Sequence, residues 1–316
     1  MIFAYIKRVR KVLRHLLIGH VSDEHIDLQK KLERISLAVG KQESRTVQKI
    51  KTENIQDAEF QVFSQFGEDG IIQYLIHHIP ISNKTFVELG VGNYEESNTR
   101  FLLMNNNWKG LIVNQGTEHL EYLQSEMGKS LRYLHQLEAV SSYITKKNVN
   151  EIISQTGIRG DIGLLSIDLD GVDYWIFEAI TTISPRILII EYDSVFGDTK
   201  AITVPYKDDF DRRVEHYSNL YFGASLKALC LLAKKKGYIF VGSNSAGNNA
   251  FFVRKDVARG LPNLTTKQGY VKNLYRESMD IQGRLTYLSD HKDRMKCIEG
   301  MRIYNIEIKK FEYIKF

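Results

Sequence analysis

The segment Phe86–Tyr94, which reads Phe-Val-Glu-Leu-Gly-Val-Gly-Asn-Tyr, limits the folds open to this chain more than any other. A short apolar run, typical of a buried strand, contains one acidic residue, Glu88, and leads into glycines just before a helical stretch. Gly90 and Gly92 let the backbone turn sharply and approach a ligand closely, and Glu88 can order that loop or meet a cationic ligand. Helix N-terminal amides beyond the loop can bind polar groups. The segment predicts a strand, a loop and a helix, with either a plain tight turn or a ligand-binding loop between them.

From Phe60 onward, short apolar runs alternate with amphipathic segments, as in βα units that build a mainly parallel sheet. The apolar runs predict strands at Thr85–Leu89, Gly110–Val113, Tyr133–Val140, Ile162–Asp168 and Arg186–Tyr192. The amphipathic segments predict helices at Glu68–His78, Ser97–Asn106, Thr117–Met127, Lys147–Gln155, Asp173–Thr182 and Ser225–Lys236. The turn Asn244–Gly247 predicts an antiparallel hairpin of Tyr238–Gly242 and Asn249–Arg254. The pattern predicts an α/β fold, and the order of elements alone specifies no activity.

The chain divides into three parts by composition. Residues 1–57 are predicted to be an N-terminal helical segment and linker, residues 58–260 the α/β domain, and residues 261–316 a C-terminal extension. The extension is rich in Tyr, Lys and Arg, and its sequence assigns it no function.

Two helices are predicted in the N-terminal part. In the segment from residue 1 to residue 20, basic residues surround apolar residues at helical spacing, namely Ile6, Val9, Leu13 and Leu16. A second helix after Ser22 carries a near-heptad row of Leu28, Leu32, Ile35 and Val39. That row is expected either to pack on the domain or to bind a second copy of the chain, and the basic helix can lie on a membrane surface. The polar stretch from residue 40 to residue 58 is predicted to be a linker.

Length and composition narrow the class of protein. With 316 residues, of which 43% are hydrophobic, the chain can form one full α/β domain with appended segments. Its net charge of +5 favours an anionic partner or a membrane surface over nucleic acid. The two cysteines form no CxxC pair or zinc-spaced cluster, and no apolar run reaches the roughly 20 residues of a transmembrane helix. We expect a cytoplasmic protein that is soluble or peripheral to a membrane.

The end of the second predicted strand carries amides where a carboxylate is common. In such folds an acidic residue at this place binds the ribose hydroxyls of an adenosine cofactor. Here the strand ends in Asn114 and Gln115. An amide can also bond a diol, but without the strength of a charged acceptor. Glu118, one helical turn later, either compensates for the missing acid or serves only as a favourable first-turn charge of the next helix.

An acidic cluster follows the fourth predicted strand. Asp168, Asp170 and Asp173 lie within six positions, at the edge of the sheet where ligands bind in open α/β folds. Strand alternation would put Asp168 and Asp170 on one side if the strand extends that far. Carboxylates this close must repel, share a proton or bind a divalent cation. Asp173 can instead cap the following helix.

The fifth predicted strand ends in Glu191, Tyr192 and Asp193, and a long loop follows it as far as Asn219. Loops of this length in a compact domain usually form a lid or a binding surface. His216 in this loop is a candidate general base, because its ordinary pKa lies near neutrality. A surface or structurally bonded histidine explains the residue equally well. His77 and His78 are expected to be ordinary helix residues.

Several motifs occur in the order found in one known family. They are Ser64-Gln-Phe-Gly-Glu-Asp69, Phe86-Val-Glu-Leu-Gly-Val-Gly92 with Ser97-Asn-Thr99, Asn107-Trp-Lys-Gly-Leu111, Ile167-Asp-Leu-Asp-Gly-Val-Asp-Tyr-Trp175, Ile190-Glu-Tyr192, Tyr221-Phe-Gly-Ala-Ser225 and Asn248-Asn-Ala-Phe-Phe-Val253. In these motifs, from about residue 63 to residue 255, the chain resembles the FkbM-like class I S-adenosylmethionine-dependent methyltransferases. The resemblance implies a Rossmann-like sheet with helices on both faces and a C-terminal antiparallel hairpin, preceded by N-terminal helices.

The resemblance also implies a reaction and the residues that carry it. The reaction is methyl transfer from S-adenosylmethionine to an oxygen, often on a sugar of a bacterial polysaccharide or secondary metabolite. The residues implied for the cofactor are Glu88, Gly90, Gly92, Asn98, Asn114 and Gln115. Those implied for a divalent cation, Mg or Mn, are Asp168, Asp170 and Glu191, with Asp168 or His216 as the base. Asn114 and Gln115 depart from the family, which usually has an acid there.

The resemblance implies a carbohydrate or nucleotide-sugar substrate. The near-heptad row implies a second copy of the chain, and the mild net charge predicts no nucleic-acid partner. The protein is expected in the cytoplasm, where the basic helix would contact the inner face of the membrane. A second hypothesis is an altered relative in which the fold serves as a glycan-binding or assembly module, and Asn114 favours it. A nicotinamide-dependent oxidoreductase fits less well, because the loop lacks the full GxGxxG pattern and the ribose acid.

Overall fold

The computed structural model describes residues 2–315, and their side chains from residue 24 onward. The strands are β1 Thr85–Leu89, β2 Lys109–Asn114, β3 Leu137–Ser141, β4 Gly160–Ile167, β5 Ile183–Glu191, β6 Ile202–Thr203, β7 Tyr238–Ser243, β8 Asn249–Arg254, β9 Arg302–Asn305 and β10 Lys310–Tyr313. The helices are α1 Ile2–Val47, α2 Glu68–His78, α3 Arg100–Asn106, α4 Glu118–Gln124, α5 Lys129–Leu134, α6 Val149–Gln155, α7 Asp173–Ala179, α8 Arg212–Glu215, α9 Leu226–Lys235, α10 Thr266–Gly269 and α11 His291–Cys297. Short 3₁₀ turns occur at Ile55–Ala58 and Ser194–Phe196.

Seven strands form one sheet in the order β3-β2-β1-β4-β5-β8-β7. The first five of these are parallel, and β8 runs antiparallel to both β5 and β7. The strand order turns back at β1, so the carboxyl ends of β1 and β4 lie side by side at the place where open α/β sheets bind ligands. This arrangement confirms the predicted Rossmann-like α/β fold and its C-terminal antiparallel hairpin.

Both faces of the sheet are buried, which explains why its strands are continuous apolar runs. All five residues of β1 are buried. Val87 and Leu89 pack with the side that holds α6, α7 and α9. Phe86 packs on the opposite side, with α2 and α3. The central strands are therefore rigidly held, and their carboxyl ends form a fixed frame for a site.

Several element boundaries differ from the predictions, and two of these differences have a clear local reason. Tyr133 and Leu134 belong to the end of α5 and not to β3, and both are largely exposed, so no core favours a strand there. Helix α3 begins at Arg100 and not at Ser97, because residues 97–99 are bound to the Glu88 carboxylate.

The N-terminal part forms one continuous helix, α1, so the predicted break near residue 20 is wrong. The predicted linker from Gly40 is also wrong as far as Val47, because α1 continues to that residue. Gly40 lies so close to the domain that a Cβ there would be 2.5 Å from the Val62 side chain. The near-heptad row is on another face, and all four of its members are more than half exposed: Leu28, Leu32, Ile35 and Val39. The side-chain faces predicted for residues 1–20 lie outside the described side chains. Over residues 2–315, no helix is both long and apolar enough to cross a membrane.

The C-terminal extension packs on the segment that follows β5. Strand β6, from the predicted long loop, joins β9 and β10 of the extension in a three-stranded sheet. Tyr304 of β9 contacts Trp175 of α7, with ring centroids 5.3 Å apart. The Tyr270 hydroxyl donates to the Ser194 carbonyl over 2.8 Å. The extension thereby fixes the segment that closes one side of the site.

Candidate active site

A cleft of about 1320 Å³ opens at the carboxyl edge of the sheet. It brings together eight of the predicted site residues in its lining: Glu88, Gly90, Gly92, Asn98, Asn114, Gln115, Asp168 and Asp170. Residues 209–211, which lie between β6 and α8, also line the cleft, as do Arg212 and Arg213, the first two residues of α8. The predicted long loop therefore does border the site, although it contains a strand and a short helix.

The loop after β1 needs its glycines. Gly90 has φ +85°, and a Cβ there would lie 1.7 Å from the Asp168 carbonyl oxygen, so any side chain would push the β1 loop away from the end of β4. Gly92 has φ +52°, and a Cβ there would meet open space, so the left-handed backbone is the only reason why this position favours glycine. Gly90 thus allows the β1 loop to pack directly against the end of β4.

The Glu88 carboxylate orders this loop through hydrogen bonds with residues 97–99. Its carboxylate accepts from the Ser97 hydroxyl (2.6 Å), from the Asn98 amide N–H (2.9 Å) and from the Thr99 N–H and hydroxyl. Burial raises the pKa of Glu88, and these donors oppose the rise. The Asn98 side chain donates in turn to the Ser166 hydroxyl on β4 over 3.0 Å. Of the two roles predicted for Glu88, the structure shows the ordering one.

The end of β2 presents amides to the cleft, as the sequence indicates. Asn114 is the last residue of β2, and Gln115 follows it in the cleft lining. Glu118, in the first turn of α4, also lines the cleft. Its carboxylate folds back so closely that a Cβ on Gly116 would lie 1.9 Å from it. A carboxylate is therefore present near the end of β2, although it comes from the helix and not from the strand.

Three carboxylates meet across the ends of β4 and β5. Asp168, Asp170 and Glu191 each place an oxygen within 4.8 Å of the other two. Strand β4 ends at Ile167, so the contact of Asp168 with Asp170 does not come from strand alternation. It comes from a turn in which Asp170 adopts φ +53°, a conformation uncommon for a residue with a side chain. Such backbone strain often accompanies a functional site.

The electrostatics of this carboxylate group are unfavourable for full ionisation. Burial, and then the charges of Asp170 and Asp173, raise the pKa of Asp168 well above its ordinary value. Burial, and then the charge of Asp168, likewise raise the pKa of Glu191. The Arg212 guanidinium, 3.2 Å from an Asp170 oxygen, opposes both shifts. One guanidinium against three carboxylates leaves the group short of positive charge.

Asp173 has a structural role. Its carboxylate accepts from the backbone N–H groups of Leu169 (2.7 Å) and Gly171 (3.1 Å), and it is fully buried. Burial raises its pKa to about 6. Asp173 lies in the first turn of α7 with Val172 at the cap position, so it braces the strained turn that carries Asp170.

The donor set fits a divalent cation. Glu191 is only 8% exposed, and its Oε2 has no hydrogen-bond partner within the described part of the chain. Leaving a buried acceptor unsatisfied costs about 1–3 kcal/mol. Carboxylate oxygens are the ligands that Mg²⁺ and Mn²⁺ prefer. An oxygen-binding cation would satisfy the orphan atom and relieve the repulsion at the same time.

His216 lies apart from the carboxylates. Its Nδ1 is 2.7 Å from the Ser218 hydroxyl, its ring contacts Tyr217, and among the described residues it is not part of the cleft lining. Burial lowers its pKa. The arrangement is that of a structurally bonded histidine, and a catalytic role for His216 stays a prediction that the geometry does not favour. His77 and His78 bond to backbone carbonyls within α2, as ordinary helix residues do.

Three site residues escaped sequence reasoning. Arg212 bridges Asp170 and Glu277 of the C-terminal extension, at 3.2 and 2.8 Å. Asn249 lines the cleft from the first position of β8, and buried Glu68 accepts a hydrogen bond from its amide over 3.0 Å. Asn249 begins the second strand of the predicted hairpin and belongs to the motif Asn248–Val253, which is the signal that could have found it. Glu68 belongs to the motif Ser64–Asp69, and no sequence signal marked Arg212 individually.

Comparison with known proteins leaves the family open. No protein-family model and no curated protein matches the chain. Among solved structures, the chain is similar to the N-terminal domain of EvdMO1 with SAH bound, at 9% identity over 71% of this chain and 94% of that chain, with a TM-score of 0.38. It is also similar to the mitomycin 7-O-methyltransferase MmcR (17% identity, 54% of this chain, 48% of that chain, TM-score 0.34). A third similar structure is that of the pyocyanin biosynthetic protein PhzM (9% identity, 54% of this chain, 50% of that chain, TM-score 0.32).

The chain spans about half the length of MmcR and PhzM. Likenesses with TM-scores below 0.5 carry no weight for activity. The fold class rests on the strand order, and the chemistry rests on the cleft.

Proposed function

We propose that this protein is an FkbM-like, S-adenosylmethionine-dependent O-methyltransferase that acts on a sugar hydroxyl in the synthesis of a bacterial surface polysaccharide or another glycan. One observation carries the proposal: the Gly90–Gly92 loop and the carboxylates of Asp168 and Asp170 face the same cleft. The cleft volume, about 1320 Å³, exceeds the roughly 300–1,000 Å³ of common small-molecule pockets and leaves room for a cofactor and an acceptor together.

The cofactor would lie along the β1 loop. Gly90 keeps this loop against β4, and Glu88 holds Asn98 in place through its backbone N–H. At the end of β2, Asn114 and Gln115 would hydrogen-bond the ribose hydroxyls, with the Glu118 carboxylate available from α4. This set would place the sulfonium methyl group toward the carboxylates, as in-line transfer requires.

The carboxylates supply what an O-methylation needs from the protein. As the acceptor oxygen bonds to the methyl carbon and the C–S bond breaks, the hydroxyl proton must go to a base. We assign that base as Asp168, because its carboxylate lines the cleft at the end of β4, next to the β1 loop where the cofactor would lie. Glu191 places an oxygen within 4.8 Å of one of Asp168 and would join it in holding a cation. A divalent cation held by Asp168, Asp170 and Glu191 would supply Lewis acidity that lowers the pKa of the acceptor hydroxyl.

A second candidate function is a non-catalytic glycan-binding or assembly module. The observation that favours it is Asn114, which stands where a carboxylate would bind the ribose with charge-assisted strength. In that case the cleft would bind a glycan without S-adenosylmethionine.

A labelled-methyl assay separates these functions. The purified chain would be incubated with methyl-labelled S-adenosylmethionine, Mg²⁺ or Mn²⁺, and two acceptor panels, one of nucleotide sugars and glycans and one of phenols. We expect label on a carbohydrate oxygen. Label on phenols alone would overturn the sugar assignment. Glycan binding without cofactor binding would favour the non-catalytic module.

We also propose a second copy of this chain as the partner of α1. The exposed row from Leu28 to Val39 has coiled-coil spacing. The other side of the helix is tied to the domain through Glu33 with Arg100 (3.0 Å) and Ser44 with Gln73 (2.8 Å), so the row faces outward.

Sedimentation of the purified chain tests this pairing. We expect a dimer, and we expect Leu32→Glu with Ile35→Glu to give a monomer of unchanged melting temperature. The same sedimentation mass for wild type and variant would exclude pairing through this row. Pelleting with anionic vesicles, with and without residues 2–20, would test the proposed contact with the inner membrane face.

A further inference from the structure

Asn249 stands directly opposite Glu191 in the sheet. It is the first residue of β8, and the antiparallel register pairs it with Glu191, the last residue of β5. Side chains of such pairs lie on one face with Cβ atoms about 4.5–5.5 Å apart. Asn249 is only 3% exposed, and it lines the cleft. It therefore lies beside Glu191, the buried member of the carboxylate group.

The Asn249 side chain is held in one orientation. Its Nδ2 donates to Glu68 Oε1 over 3.0 Å, and the same oxygen accepts from Asn244 Nδ2 over 2.6 Å. Glu68 is fully buried, and its other oxygen accepts from the Phe66 N–H over 2.9 Å. Because the amide nitrogen faces Glu68, the Asn249 Oδ1 is turned away from it. Within residues 24–315, this Oδ1 finds no hydrogen-bond partner.

Two buried oxygens without a hydrogen-bond partner thus belong to residues paired across β5 and β8, Asn249 Oδ1 and Glu191 Oε2. Both are acceptors, and the neighbouring carboxylate of Asp168 adds more acceptors. A single hydroxyl donor would satisfy one of them. A cation satisfies all of them together, and amide carbonyl oxygens are ordinary ligands of hard divalent cations.

We propose that Asn249 supplies a neutral fourth oxygen ligand to the cation held by Asp168, Asp170 and Glu191, with Glu68 as the positioning residue that aims it. This inference rests on the metal-dependent form of the proposed function. Charge balance explains the neutral ligand. The three carboxylates already carry more negative charge than the Arg212 guanidinium beside Asp170 offsets. A fourth carboxylate would add to that repulsion and would also face Glu68.

Manganese binding to the full, cofactor-free chain tests the inference without any turnover. Free Mn²⁺ would be followed by electron paramagnetic resonance and the heat of binding by calorimetry, with circular dichroism as the check of folding. We expect Asn249→Ala to weaken Mn²⁺ binding at least tenfold. Glu68→Gln should weaken it several-fold, because a glutamine amide can donate to Oδ1 and turn it from the site. Asn93→Ala, which changes another asparagine of the cleft lining, is the matched control and should bind Mn²⁺ like the wild type.

Each contrary result has its own meaning. If the wild type binds Mn²⁺ and Asn249→Ala binds it equally well, Asn249 is not a ligand, and the metal site of the proposed function stands. If Asn249→Ala cannot be folded, equal Mn²⁺ affinity of Glu68→Gln and the wild type overturns the inference. If the wild type binds no Mn²⁺ at millimolar concentration, the metal site and this inference fail together. Cofactor binding, measured separately, then decides whether the methyltransferase proposal survives.

Discussion

The two ends of β4 carry aspartates in opposite circumstances. At the amino end, Asp161 lies 2.6 Å from Arg186 Nη2 and 2.7 Å from Arg254 Nη1. Hydrogen bonding to Arg186 lowers the pKa of Asp161 to about 2. Just past the carboxyl end, Asp168 meets Asp170 and Glu191 instead of two arginines, and its pKa is raised. One strand therefore connects a satisfied charge cluster to an unsatisfied one.

The difference distinguishes a structural aspartate, Asp161, from a functional one, Asp168. Folding favours paired charges, and the group around Asp161 joins β4, β5 and β8 at the amino edge of β4. A group of carboxylates with one guanidinium costs folding free energy, and a protein keeps such a group where a ligand makes use of it. We therefore take Asp161 as structural and Asp168 as functional, and each assignment can be tested by its own substitution.

The largest expected effect is on catalysis. Asp168→Asn keeps the shape of the side chain but removes the base, so we expect labelled-methyl transfer to fall at least 100-fold, within the range for loss of a general base. Binding of S-adenosylmethionine should be largely unchanged, because the cofactor would lie on the β1 loop. Asp161→Asn is the matched control and should keep turnover within about twofold. Transfer by Asp168→Asn above a tenth of the wild-type rate would contradict the assignment, and loss of cofactor binding would mean that Asp168 has another role.

The next effect is on stability, where we expect Asp161→Asn to be the more damaging of the two substitutions. Asp161→Asn leaves the mostly buried guanidinium group of Arg186, 13% exposed, without its carboxylate, and leaves that of Arg254, 17% exposed, with Asp256 alone. We expect its free energy of unfolding to fall by about 2 kcal/mol, as for a buried charged donor that loses its partner. Asp168→Asn removes repulsion, so metal-free protein should be no less stable than the wild type. Urea unfolding of both variants measures this, and greater destabilisation by Asp168→Asn would invert the comparison.

The smallest effect is on the pH dependence of stability. The folded-state pKa of Asp161, about 2, lies below the unfolded value of about 3.9. Its contribution is therefore present above about pH 4 and is lost as the pH falls toward 2. In urea unfolding, the stability gap between wild type and Asp161→Asn should narrow over that interval. A gap that stays constant from pH 5 to pH 2 would show that the Asp161 carboxylate titrates normally in the folded protein.

Sequence reasoning found the parts of this site that local chemistry or sheet geometry determines. The Gly90–Gly92 loop follows from backbone freedom within a few residues. Asp168 and Glu191 could be grouped because the carboxyl ends of neighbouring parallel strands meet at one edge. Asp170 was also predicted for the group, but for a wrong reason, since a left-handed turn and not strand alternation brings it there.

The remaining residues depend on packing that a linear pattern does not contain. Asn249 joins the site through the register of β8 on β5, and Arg212 through a loop that the C-terminal extension holds at Glu277. His216 was proposed for its ordinary pKa, but its neighbours Ser218 and Tyr217 determine where its ring lies. The use of the extension could not be predicted, because contacts such as Tyr192 with Val271 and Tyr221 with Arg302 join segments about 80 residues apart in the chain.

Calorimetric titration of the purified chain with S-adenosylmethionine, and with its demethylated product, tests the central claim most directly. The account predicts that both ligands bind in the cleft and that Gly90→Ala, whose Cβ would collide with the Asp168 carbonyl, weakens the binding of both. If neither ligand binds the folded wild-type chain at millimolar concentration, the cleft is not a site for this cofactor and the methyltransferase proposal is wrong.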